Sequence, residues 1–147
     1  MKKTTTLIAL AGMAFMSLGA LAQAQEASSA STAYGDIEAT LGVVPSHFKA
    51  YPESAVAGAW AMTKGLLLEP SNSLEPKVKS LINLAVAAQI PCQYCIWLET
   101  KFAKQQGATD AEISEAVAQA AYVRHWSTVI NGMQIDFDTF KAEFGGE

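Results

Sequence analysis

From Pro76 to Pro91 the chain reads PKVKSLINLAVAAQIP, and this stretch limits the fold more than any other. Proline is tolerated in the first turn of a helix, where its missing N–H would be unpaired anyway, so Pro76 can open a helix. Pro91 ends it. Between them, Leu81 to Ala88 is apolar on nearly every side of a helix, which predicts a central, buried element that other elements must cover. The rest of the chain offers only helices for the purpose. No stretch alternates apolar and polar residues over a useful length, and there is no internal repeat.

Proline and glycine punctuate the helical segments. Asp36 is placed to cap a short helix, DIEATLG, that ends at Gly42, and a second short piece follows Val44-Pro45-Ser46. After Pro52, ESAVAGAWAMTKGLLLE reads as a helix to about Glu69, and PSNS as a loop. A new helix is expected from about Cys92 to Gly107, a natural C-cap residue. Thr109 and Glu112 have the spacing of a capping box, opening a long helix that ends near Gly132. Asp136 to Phe144 completes the set. The expected fold class is all-α, a compact helical domain.

The first residues speak to place. Lys2 and Lys3 precede an uncharged, mostly apolar run from Thr4 to Leu21, followed by small-x-small sites at Ala20-Leu21-Ala22 and Ala22-Gln23-Ala24. This pattern predicts a cleavable signal peptide over residues 1–24, the run being short for a membrane span. Residues 25–33, small and polar, read as a flexible lead-in, and 34–147 as the domain. Loss of Lys2 and Lys3 with the leader takes the formal charge from −4 to −6. With no basic patch, nucleic acid and anionic membranes are not expected partners. A periplasmic or secreted location is expected, where disulfides persist.

Cys92 and Cys95 are the only cysteines. Three residues apart on a helix, their Cα atoms fall about 5–6 Å apart, within the range a disulfide accepts. The pair can therefore pass between dithiol and disulfide on one backbone. Cys92 also lies where a helix start favours thiolate over thiol. A purely structural staple is the alternative. So short a loop gains only about 2 kcal/mol by loop entropy, against about 3 kcal/mol for a fifteen-residue loop. Haem attachment would need His after the second cysteine, where Ile96 stands, and a thioredoxin motif would follow a strand. Zinc would need two further ligands, for which Glu99 and His125 are available.

The buried helix, the break, C-x-x-C opening the next helix, and the capped G-A-T-x-x-E-I start together resemble the carboxymuconolactone decarboxylase / alkyl hydroperoxidase D family. The segment LEPKVKSLINLAVAAQIPCQYCIWLETKFAKQQGATDAEI carries most of the likeness, which extends over about residues 34 to 144. The resemblance implies an AhpD-like helical fold that assembles into trimers or hexamers. It also implies peroxide reduction by cycling of the cysteine pair, with a Glu and a His as proton relay. Members that decarboxylate the lactone generally lack the pair. Here Ser80 stands at the position of the relay Glu, and Glu99 at that of the relay His.

The expected activity is that of an exported thiol oxidoreductase acting on hydroperoxides or disulfides, drawing electrons from a thiol reductant of the envelope. Other chemistry on the same fold is an alternative, as is a binding or assembly protein with a structural C-x-x-C. The candidate catalytic residues are Cys92, Cys95, Glu99 and His125; no cofactor or metal is expected. Ser80 and Asn83 are polar positions on an apolar helix that can satisfy each other or nearby backbone. Glu99 is either a solvated carboxylate or, buried and neutral, a proton donor. His125 is either an external base or a packed core histidine. Arg124 is expected to pair with a surface carboxylate, and Trp60, Trp97 and Trp126 to lie in the core or a subunit interface.

Overall fold

The computed structural model describes residues 29–146. The expected leader, 1–24, and the first part of the lead-in lie outside them. Among the described residues every regular element is helical. The described residues divide into two compact units, up to Glu69 and from Pro70 onward, each described here by itself.

In the first unit, α1 covers residues 29–41 and is followed by α2 (Ser46–Lys49) and α3 (Glu53–Thr63). The last helix continues into a π-helical turn, Lys64–Leu68, rather than as α-helix to Glu69. The core is built from Ala30, Ala33 and Ile37 on one stripe of α1, Phe48 on α2, and Val56 and Trp60 one turn apart on α3. Phe48 meets Trp60 edge-on, with ring centroids 5.7 Å apart. Helix α1 starts before the expected cap, so residues 29–33 are helical and not a lead-in. The reason is packing. Ala30 and Ala33 extend the apolar stripe of Ile37, and their small side chains join the same cluster as Trp60. Asp36 accordingly lies inside α1 and caps nothing. Its carboxylate accepts the Trp60 indole N–H at 2.7 Å and pairs with Lys64, which supplies the partner that a buried indole requires.

In the second unit, α4 (Pro76–Gln89) packs against α5 (Gln93–Gln105) and α6 (Asp110–Gly132), and α7 (Phe137–Glu143) closes the chain. Pro76 does sit in the first turn of α4. Two backbone bonds tie the turn at its far end: the Ile90 N–H donates to the Val86 carbonyl and the Cys92 N–H to the Ala87 carbonyl, each at 3.1 Å. Helix α5 ends in a Schellman motif, in which Gly107 adopts φ +82° and Ala108 N–H donates to Ala103 O at 2.9 Å. The capping box of α6 is present as expected. Glu112 N–H donates to Thr109 Oγ1 at 3.1 Å, and Thr109 N–H donates to Glu112 Oε2 at 2.7 Å.

The expectation that α4 is buried all round is corrected. Ser80, Leu84 and Ala87 are buried, but Val78, Ile82, Val86 and Ile90 are exposed, Ile90 at 63%. These four recur every fourth residue and form one apolar stripe. Within the chain, α5 and α6 cover only one side of α4, and the sequence pattern cannot say whether the other side is covered by the same chain or by another.

Candidate functional site

Cys92 is the N-cap of α5, with extended backbone at φ −86° and ψ 95°. Its carbonyl accepts the Ile96 N–H at 2.9 Å, which starts the helix. Its sulfur accepts the Cys95 backbone N–H at 3.3 Å, in the place that a Ser or Asp oxygen takes in an ordinary N-cap. Cys92 and Cys95 are joined by a disulfide with their Cα atoms 5.3 Å apart, inside the expected range. Both are half-buried, while Tyr94 and Trp97 beside them are exposed. The helix-opening hydrogen bond runs through main chain alone, so opening the disulfide does not break it.

Glu99 follows Cys95 by one turn and is half-buried. Burial pushes its carboxyl up from its ordinary value, and a hydrogen bond from the Asn83 side chain pulls it partway back. Asn83 comes from α4, the helix packed against α5. The polar positions of α4 differ in burial. Ser80 is buried and Asn83 half-buried. Glu99 lies between the two readings, neither fully solvated nor buried.

His125 is exposed on α6, with its ring edge-on to that of Trp126 at 5.2 Å between centroids. It makes no hydrogen bond to Cys92, Cys95 or Glu99 within the chain. The packed-core reading of His125 is therefore not what one chain shows. Its neighbour Arg124 faces α4 and does not pair with a carboxylate. It donates from Nε to Gln89 Oε1 at 2.7 Å and from a terminal nitrogen to the Gln89 carbonyl at 3.3 Å. The Gln89 amide in turn donates to Ala120 O. This network anchors α6 to the last residue of α4, three positions before Cys92. Sequence alone offers no signal for it, because its members lie 35 residues apart. Trp60 is in the core, while Trp97 and Trp126 are exposed. Among the described residues, no group of three or more His, Cys, Asp or Glu is placed to hold a metal ion. The cysteines are engaged with each other.

Residues 54–136 match the sequence model of the Carboxymuconolactone decarboxylase family. Among solved structures, the chain is similar to the alkylhydroperoxidase AhpD core from Rhodospirillum rubrum, with TM-score 0.66 and 24% identity over 80% of this chain and 89% of that one. No curated protein matches it.

Proposed function

The chain belongs to the carboxymuconolactone decarboxylase family, and from that premise we propose that it is a thiol oxidoreductase that reduces hydroperoxides through Cys92 and Cys95. The observation that carries this reading is the disulfide at the start of α5, whose Cys92 sulfur accepts a backbone N–H in the first turn. The first turn of a helix presents unpaired N–H groups and the positive end of the dipole, so the reduced Cys92 is favoured as thiolate. Attack of that thiolate on the terminal oxygen of a hydroperoxide breaks the O–O bond. The products are a sulfenic acid on Cys92 and an alcohol. Cys95 then displaces the sulfenic hydroxyl as water and restores the disulfide. An external dithiol supplies two electrons and two protons to reopen it and leaves as its own disulfide.

The protein is exported, and its reductant is a thiol carrier of the envelope. It works as a homo-oligomer, a trimer or hexamer, which the apolar stripe of α4 supports. The decisive assay is hydroperoxide consumption by the mature protein with a dithiol present. Turnover is expected for the natural protein and none for Cys92→Ser, and Cys95→Ser is expected to stop at one equivalent per chain when the reduced protein is assayed without the dithiol. Consumption that persists in Cys92→Ser at the natural rate would falsify the reading.

A further inference from the structure

Arg124 is the only arginine of the chain. Among the described residues Lys64, Lys77, Lys104 and Lys141 each find a carboxylate, and Arg124 does not. Its guanidinium is held instead by a neutral amide, since Nε and a terminal nitrogen both donate to Gln89. Gln89 is fixed in turn, its own NH2 donating to the Ala120 carbonyl. A long, flexible side chain is thus set in one orientation before any anion arrives, which lowers the entropy lost when one binds. The two bonds use two of its five N–H groups. The other three lie along the outer edge of the planar fork, an edge that matches the two oxygens of a carboxylate.

The same residue lines a groove between α4 and α6 with a volume of about 430 Å³, the size of a small-molecule site. Ala85 and Val86 line it from α4, Ala120 and Val123 from α6, and Ser127 adds a hydroxyl one turn beyond Arg124. From Ala120 to Ser127 the α6 side runs about 10 Å at the rise of an α-helix, long enough for a medium-length alkyl chain. Val86 and Val123 are exposed, at 54% and 65%, so a ligand laid there would take apolar surface out of water. Val86 also belongs to the exposed stripe of α4, and the groove opens beside that stripe. A fixed cation asks for an anionic head, and aliphatic walls ask for an apolar body.

We propose that this groove is a binding site for a medium-chain organic monocarboxylate, its head held by the outer edge of Arg124 and its tail lying along the apolar walls. Neither cysteine lines the groove, so the site does not rest on the redox reading of the bridge. An alcohol of the same chain lacks the head, and inorganic phosphate lacks the tail. Both are expected to bind poorly.

The test titrates the full mature protein, carrying isotope-labelled arginine, with octanoate, octanol and inorganic phosphate. With a single arginine in the chain, the side-chain Nε–H gives one NMR resonance that reports on the site directly. Octanoate is expected to shift it saturably, and octanol and phosphate to leave it in place. By calorimetry, Arg124→Gln is expected to weaken octanoate binding about tenfold or more, the loss that goes with hydrogen bonds to a charged group. Arg124→Lys keeps the charge without the fork and should fall between the two. Since Arg124→Gln also loosens α6 from α4, Ala120→Leu serves as a second variant. It narrows the groove with the guanidinium in place, and it too should weaken octanoate binding. An unmoved arginine resonance, equal binding of octanol, or full octanoate affinity in either Arg124→Gln or Ala120→Leu overturns the proposal. So does dissociation of the assembly by Arg124→Gln with no octanoate shift in the natural protein, because the guanidinium then answers a carboxylate of a second copy.

Discussion

Glu112 accepts the Thr109 N–H, pairs with the Thr109 hydroxyl and binds the Lys77 ammonium at 2.8 Å. Lys77 first, then the Thr109 backbone and hydroxyl, hold its carboxyl down to about 2. Its folded value lies below the unfolded one, so its stabilising contribution is complete above about pH 4.5 and is lost as pH falls toward 2. Glu112→Gln should therefore lower the melting temperature at neutral pH, with the gap to the natural protein closing between those limits. Glu99 has the opposite sign. Burial raises its carboxyl, so ionisation costs folded stability as pH rises above the unfolded value. Glu99→Gln should melt higher than the natural protein near pH 7 and no higher near pH 3, whatever its activity. The two carboxylates also differ in how far they could be read from sequence. The cap spacing of Glu112 is local, whereas its Lys77 bond and the burial of Glu99 each need two helices already packed. Cys92 and Cys95 were legible for the first reason, since their geometry is contained in one turn.

At the scale of elements, helix ends carry the clearest marks. Helix α6 ends one residue before Met133, and the chain then turns through Gln134 at φ +54°. Gln134 N–H donates to Asn131 O and Ile135 N–H to Ile130 O, the same motif that closes α5 at Gly107. A residue with a Cβ pays for the left-handed conformation, so Gln134→Gly should stabilise the protein by about 0.5–1 kcal/mol in urea denaturation. Gly107→Ala should destabilise it by about 1 kcal/mol for the same reason. The end of α6 was expected at Gly132, where the helix does stop, but the left-handed residue is Gln134. Sequence marked the glycine and not the conformation. Helix α1 shows the converse failure. Its opening residues are small and polar enough to pass for a lead-in, and only the spacing of Ala30, Ala33 and Ile37 carried the signal of a packed face.

At the scale of the whole molecule, burial is uneven. Leu84 is 1% exposed, and Leu84→Ala should cost about 2–5 kcal/mol. Four residues on the same helix, Val78, Ile82, Val86 and Ile90, remain in water within one chain. Light scattering at micromolar concentration should give a trimer or hexamer, and Ile82→Asp with Val86→Asp should give a smaller species of unchanged helical content. A stable monomer of the natural protein would overturn the assembly reading. The all-α class was legible because most segments after Pro52 had their own start and stop signals. The exposure of half of α4 was not, because a buried stripe and an intersubunit stripe have the same period. The closing of the sulfur bridge within a single helical turn has a consequence of its own. Opening the bridge is expected to leave the helical content where it was, which circular dichroism on the disulfide and dithiol forms checks. A bridge confined to one turn ties no helix to another, so a partner that distinguishes the two forms is expected to read them at the sulfurs themselves.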